Sequence, residues 1–421
     1  MLTRHWIISS LDIGSSTTNA IILEVDRQDN FVLVGHGQCQ TQGLVHDMVQ
    51  DIGALSRVIG ESVSQAEEMA GVSASGVNIS IGGEHVRVLN CRGGIPLPKA
   101  RTKHRQHIVD NRDIKKAIEN AGSVPVPPGL RVLHVLPLNF LIDGRKVESP
   151  LGLNGVRLDV DVMIIGAKQS VLNAIAQAAE QADVRVRNFC YRPLATSRAV
   201  LTPDERLEGA CVIDIGGGHT DVAIFQNGVM RHASTLTLGS DSITSDTVAM
   251  LEIPGGEAEK IKREYGHCCA SLVDEHEFQV SGHGKNGCLW RTFRRSELVD
   301  SIIQPRAEEI LEEALAVING FEENGILPTS AVLTGGGAML NGIQNLAATI
   351  FPFPIKKSAG LSIGMEAGEA MIWPDTSACF ATAMGLALLD MEQRRMQRQE
   401  LKDHVVGRLY QKVIRGLHEI M

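Results

Sequence analysis

Apolar and polar residues follow two periods along this chain. Ile8 to Val25 reads as a strand, the turn Asp12-Ile13-Gly14-Ser15-Ser16-Thr17, and a second strand carrying Ala20-Ile21-Ile22. Cys211 to Gln226 repeats that plan, with Asp214-Ile215-Gly216-Gly217-Gly218-His219-Thr220 as the turn and Val222-Ala223-Ile224-Phe225 beyond it. Two alike hairpins about half a chain apart predict a duplicated domain. Elsewhere Gly209 to Ile215 predicts a strand, whereas Ser170 to Ala182 and Leu298 to Phe321 carry helical periods. Strands alternating with helices predict an α/β architecture.

Breaks in the pattern predict insertions. Gly and Pro punctuate Cys91 to Pro98 and Ser123 to Gly129, bracketing a basic, helix-like stretch from His104 to Ala121. Gly266 to Gly287 is polar and turn-rich, a second candidate insertion. After Leu389, Gln, Glu, Arg and Lys dominate as far as His404, which predicts a solvated connector. The connector leads into Arg408 to Met421, where Leu409, Tyr410, Val413, Ile414, Leu417, Ile420 and Met421 fall within an arc of about 140° on a helix. Three basic residues, Arg408, Lys412 and Arg415, stand against one acid, Glu419, which suits an anionic lipid surface. Docking on the protein's own core or on a partner is the alternative for such a face.

Composition narrows the function classes. With 421 residues and 43% hydrophobic side chains, the chain can build two or more packed domains. A formal net charge of -9 gives no electrostatic pull toward nucleic acid. Met1 to Trp6 lead straight into a strand-like run without a secretion leader, and no apolar stretch reaches the roughly 20 residues that cross a bilayer, so a non-secreted, non-spanning protein is expected. The eight cysteines are scattered and fit a reducing cytoplasm. His267, Cys268, Cys269, His283 and Cys288 form the one zinc candidate, but they contain no C-x-x-C pair.

The turns carry the chemistry. A triphosphate needs backbone amides and hydroxyls at close range, and glycine admits it because it has no Cβ. Asp12 and Asp214, opening the two turns, suit a magnesium ion that keeps its waters. A third cluster, Leu333-Thr334-Gly335-Gly336-Gly337-Ala338-Met339-Leu340, offers flat backbone to a nucleoside. Each turn runs on into a strand where a Rossmann or P-loop site would start a helix, and G-x-x-x-x-G-K-[ST] is absent, so neither of those folds is expected.

These hairpins resemble the actin, Hsp70 and sugar-kinase superfamily, and the whole chain is similar to its FtsA branch. The likeness is specific in Arg131-Val132-Leu133-His134-Val135-Leu136-Pro137, Leu151-Gly152-Leu153-Asn154-Gly155-Val156-Arg157, Val212-Ile213-Asp214-Ile215-Gly216-Gly217-Gly218 and Val332-Leu333-Thr334-Gly335-Gly336-Gly337. The resemblance implies an actin-like fold of duplicated RNase H-like domains around an ATP cleft. It implies one subdomain over 1–83 and 163–200 and an inserted one over 84–162, used for self-association and contacts with later division proteins. It further implies a third over 201–232 and 303–390, a fourth over 233–302, a flexible linker over 391–407 and a membrane-targeting helix over 408–421. ATP and Mg2+ would be held by Asp12, Gly14, Ser15, Ser16, Thr17, Asp214, Gly216, Gly217, Gly218, Thr220, Glu259, Lys262, Gly335, Gly336, Gly337 and Met339, with no direct protein ligand to the metal.

The implied function is anchoring FtsZ filaments to the cytoplasmic face of the inner membrane at the division site, through anionic lipid, with self-association into filaments. The acidic FtsZ tail would dock near Arg291, Arg294, Arg295 and Arg306, since arginine forks suit carboxylates. Three departures bear on chemistry. His219 stands where threonine is usual, Thr17 where many relatives have lysine, and Tyr191-Arg192-Pro193-Leu194 offers no carboxylate or amide to orient a hydrolytic water. Slow hydrolysis at most is expected. A small-molecule kinase and an adaptor of a pilus or secretion system are the competing readings of the same superfold.

Overall fold

The computed structural model describes residues 5–45, 47–98, 107–284, 287–321, 328–358 and 377–398. Strands Trp6–Ile13, Thr17–Val25 and Phe31–Gln40 form an antiparallel meander, and Val77–Ile81 and Val186–Tyr191 extend it in parallel beyond the first strand. Ala210–Ile215, Thr220–Gln226 and Val229–Leu236 repeat the meander, with Ser330–Thr334 and Ile355–Lys357 as the parallel additions. Both five-stranded sheets therefore have the same internal order, which is the duplication expected from the hairpins.

Central strands such as Ala210–Ile215 are buried at every position, which explains their continuous apolar runs where one-sided strands would alternate. On the first sheet, helix Ile52–Ala70 starts on an Asp51 side chain that accepts from Ala54 N. It crosses strand Phe31–Gln40 so closely that a Cβ on Gly35 or Gly37 would lie 2.0 Å from the carbonyl oxygens of Ala66 or Ser62.

Between the two sheets lie helix Arg192–Val200 and the helix over residues 381–398. They cross where a Cβ on Gly385 would sit 1.7 Å from Ala195 O. One apolar core accordingly holds Ile8 and Leu11 of the first sheet, Val212 and Ala223 of the second, and Met384 between them.

Two smaller units flank this frame. In the first, strands Arg145–Val147, Leu130–Ile142, Arg157–Lys168 and Val86–Pro96 form a sheet in that order, covered by helix Asn111–Gly122. Strand Arg157–Lys168 serves two cores: Leu158, Val160, Val162 and Ile164 pack in the insert, while Met163, Ile165 and Ala167 join the main core. In the second, the hairpin of Glu277–Gly284 and Gly287–Arg294 neighbours helices Ser240–Leu251 and Gly255–Tyr265, with Tyr265 stacked on Phe278 at 4.5 Å.

Several local expectations change. Cys91 to Pro96 is not a break but part of a strand, and its glycines admit the covering helix, since a Cβ on Gly93 would meet Ala121 Cα at 2.5 Å. The basic helix begins at Asn111, later than His104, because Asp110 and Asp113 build a capping box there. Gly266 to Gly287 contains strand Glu277–Gly284, and the following helical stretch starts at Arg295 and passes through a π turn at Val299–Ile303. The last described helix runs to residue 398, eight residues into the stretch expected as a linker from 391. Arg398 pairs with Asp29 and lies 4.6 Å from the Trp6 ring, which ties that helix end to the first sheet.

A Gly385→Val chain is expected to lose about 3 kcal/mol or more of stability, because backbone faces the new side chain and cannot step aside. Chemical denaturation checks this, and an unshifted midpoint contradicts it.

Candidate functional site

The two hairpin turns close on the same backbone hydrogen bond, Gly14 N to Thr17 O at 3.0 Å and Gly216 N to His219 O at 2.9 Å. They face each other across a cleft of about 380 Å3, a size suited to a nucleotide-scale ligand. Their contact is close. Ser16 Oγ donates to Asp241 Oδ2 at 2.8 Å, and a Cβ on Gly217 would strike that same serine oxygen at 1.7 Å. Ser15 Oγ donates to Asp47 Oδ1 at 3.2 Å and lies 3.5 Å from His219 Nδ1. The hydroxyls of the first turn thus meet carboxylates that an incoming phosphate would have to replace.

The third glycine cluster closes the cleft over the second hairpin. Gly335 has φ +85°, and a Cβ there would lie 2.3 Å from Asp214 Oδ1, so only glycine fits. A Cβ on Gly337 would meet Ile215 Cγ2 at 2.3 Å. Met339 Sδ and Cys379 Sγ lie 3.6 Å apart on the same wall.

Helix Gly255–Tyr265 brings in Glu259 and Lys262. Lys262 is buried, with Nζ 2.6 Å from Glu259 Oε2 and donating to Ser240 O at 3.1 Å and Thr244 Oγ1 at 2.8 Å. Burial pushes the Glu259 carboxyl up, but the donors of Lys262, Thr244 and Arg263 outweigh it and hold it below the usual range.

On the floor, Asp12 and Asp214 are joined by Asp221. Hairpin register sets Asp214 opposite Asp221, as Asp12 stands opposite Asn19, so the repeat itself carried a signal for Asn19 and Asp221, which sequence reasoning passed over. Burial raises the pKa of Asp12 and of Asp221. Asp214 is pushed up to about 7, by burial first and then by the charges of Asp221 and Asp12. Among the described residues its oxygens have only neutral hydrogen-bond partners, Thr196 at 3.0 Å and Thr382 at 3.4 Å.

Among the described residues, Arg192 is the one guanidinium between these acids. Nε lies 3.6 Å from Asp12 Oδ1, Nη1 lies 3.8 Å from Asp221 Oδ2, and Nη2 donates to Ile13 O at 3.1 Å. Burial acts against its charge, yet the carboxylates of Asp12 and Asp221 raise its pKa above the usual guanidinium value. Arg192 was read from sequence only as a missing carboxylate, since nothing local announces its pairing with both hairpins.

Of the expected nucleotide residues, Gly218 and Thr220 do not line the cleft. Thr220 is fully buried and its hydroxyl donates to Leu238 O at 2.7 Å. His219 lines the cleft instead, 3.1 Å from Asp47 Oδ2. The zinc candidate gains no support: among the described residues no cluster of three His, Cys, Asp or Glu can hold a metal, and the side chains of His283 and Cys288 lie outside them.

The cleft's chemistry fits a nucleotide and a hydrated cation. Three glycine turns line it with backbone that could approach a phosphate or a nucleoside, and Asp214 is a buried carboxylate whose charge a cation would relieve.

The four arginines expected at a partner face are each near an acid: Arg291 with Glu252 at 3.0 Å, Arg294 with Glu277 at 3.8 Å, Arg295 with Asp274 at 3.0 Å, and Arg306 with Asp246 at 2.7 Å. Arg294 is the most exposed, at 65%, and the most loosely held. Leu409, Tyr410, Val413, Ile414, Leu417 and Ile420 lie outside the described residues. No helix among the described residues is long and apolar enough to cross a membrane.

Asp214 also predicts a pH effect. Between about pH 4 and 7 an unfolded chain releases this proton while the folded one keeps it, so the residue's contribution to stability falls across that window and stays low above it. In nucleotide-free buffer, Asp214→Asn is expected to stabilise the protein by about 1 to 3 kcal/mol at pH 8 and by less at pH 5. Urea denaturation at both pH values decides, and an equal gain at the two contradicts the burial argument.

Comparison with known proteins then places the chain. The family model "Cell division protein FtsA" matches residues 211–385, and "SHS2 domain inserted in FTSA" matches residues 83–166. Cell division protein FtsA of Neisseria meningitidis serogroup B is 35% identical over 385 residues, covering 90% of this chain and 89% of that protein. Among solved structures, the PilM-PilN type IV pilus biogenesis complex superposes with a TM-score of 0.64 at 18% identity, covering 91% of this chain and 98% of that one. MreB5 of Spiroplasma citri bound to AMPPNP gives a TM-score of 0.52 at 13% identity, covering 94% and 98%. At such identities these two likenesses speak to the fold, which is actin-like with the FtsA-type insert.

Proposed function

The chain belongs to the FtsA family of cell division proteins, and on that premise we propose that it is an ATP-binding scaffold that ties FtsZ filaments to the cytoplasmic face of the cell membrane and recruits later division proteins. The observation that carries the nucleotide part of the reading is the pair of identically closed glycine turns facing each other over buried carboxylates. The turn amides and the hydroxyls of Ser15, Ser16 and Thr17 would take the phosphates. Gly335, Gly336, Gly337 and Met339 would take the adenosine, beside Glu259 and Lys262. Mg2+ would supply charge neutralisation through its waters near Asp12 and Asp214. Helix Arg192–Val200 begins with an arginine where a hydrolase would use a carboxylate or amide, which supports slow turnover at most.

Membrane attachment rests on the amphipathic pattern of Arg408 to Met421. Burying that face partway yields roughly 5 to 8 kcal/mol before helix ordering and lost freedom are subtracted, so a single helix binds reversibly. Self-association through the 84–162 insert would present many helices at high effective concentration, and assembly and attachment would then reinforce one another. The FtsZ tail would exchange its carboxylates for the internal acids now beside Arg291, Arg294, Arg295 and Arg306, an exchange that costs least at the loosely paired Arg294.

Two outcomes test this. Full-length protein with ATP is expected to sediment with anionic vesicles, and a chain ending at residue 407 to remain in the supernatant; equal sedimentation of the two contradicts the anchor. Arg294→Glu is expected to weaken binding of an FtsZ C-terminal peptide by roughly tenfold in fluorescence anisotropy. An unchanged affinity moves the docking face elsewhere.

A further inference from the structure

The three floor carboxylates are not equivalent. Asp12 and Asp221 share Arg192, whereas among the described residues Asp214 is hydrogen-bonded only by the hydroxyls of Thr196 and Thr382. Arg192 reaches them from the first position of its helix by passing Gly82, where a Cβ would come within 3.0 Å of Nη1. It bridges the two halves of the duplication, since Asp12 opens the first hairpin and Asp221 stands in the second.

Its donors are largely unspent. Among the described residues the guanidinium makes one hydrogen bond, to Ile13 O, and both acid contacts are longer than a hydrogen bond. Nε is buried and has no hydrogen-bond partner, although the side chain lines the cleft. A buried donor left unpaired costs free energy that an anion at this place would recover.

Asp12 is one of the two acids on which a hydrated magnesium ion would lean, and a fixed cation already stands beside it. A nucleotide arriving without metal would still meet this guanidinium, which would then be shared between its phosphates and the carboxylates of Asp12 and Asp221. We propose that Arg192 is a built-in nucleotide-site cation that takes over part of the charge neutralisation otherwise left to magnesium, so that this chain binds ATP with little dependence on Mg2+. The inference rests on the nucleotide reading above and adds how the site neutralises the phosphates.

The test is an equilibrium titration of the full-length chain with a fluorescent ATP analogue, displaced by ATP, in Mg2+ and in EDTA. The unsubstituted chain is expected to change affinity by less than about threefold on chelation, and Arg192→Gln to lose roughly tenfold or more in EDTA, recovered largely by Mg2+. Arg192→Lys, which keeps the charge, is expected to fall between them. A loss of about tenfold or more by the unsubstituted chain in EDTA overturns the proposal, and that comparison needs no variant to fold. So does an Arg192→Gln chain that responds to metal as its parent does. Absence of binding in both buffers sinks the nucleotide reading itself, whereas tight binding that requires metal sinks only the role of Arg192.

Discussion

Three carboxylates and one guanidinium converge beneath two glycine turns, and most of the cleft follows from keeping them there. Asp12, Asp214 and Asp221 are buried, and burial raises the pKa of all three, with the charges of Asp221 and Asp12 pushing Asp214 up further. Such an arrangement persists only if the surrounding backbone holds it in place. Arg192 offsets two of the acids, while Thr196 and Thr382, from the two helices that cross at Gly385, hold the third. The interhelical contact that joins the halves of the molecule thus also fixes the acid that a cation would most relieve. Burying Asp214 costs stability, as expected of a carboxylate held in place for a cation that would relieve its charge.

Much of this was legible in the sequence because it is local. A hairpin with an aspartate at the mouth of its turn needs only a short segment to be recognised, and its recurrence predicted a duplicated domain. The third glycine cluster was equally plain, and Gly335 must be glycine for two separate reasons, a positive φ and the nearness of Asp214. Glu259 and Lys262 came from family resemblance, and both line the cleft.

What escaped was non-local. The pairing of Arg192 with Asp12 and Asp221 joins segments far apart in the chain and has no local pattern to announce it. Thr220 looks like a phosphate ligand by spacing, yet strand geometry turns its hydroxyl toward Leu238, and the neighbouring His219 takes its place at the cleft. In the insert, glycines read as a break because turns are their commonest use, whereas Gly93 serves a close helix crossing within a strand. The internal acid partners of Arg291, Arg294, Arg295 and Arg306 were likewise invisible to a reading that saw only a cluster of positive charge.

The central claim is that nucleotide is held by the three glycine turns together. Hydrogen-deuterium exchange of the full-length chain, with and without saturating ATP, tests it most directly. Slowed exchange at residues 14–17, 216–219 and 335–337 at once is the predicted result. Saturable ATP binding that leaves the amides of those turns unchanged would contradict the account.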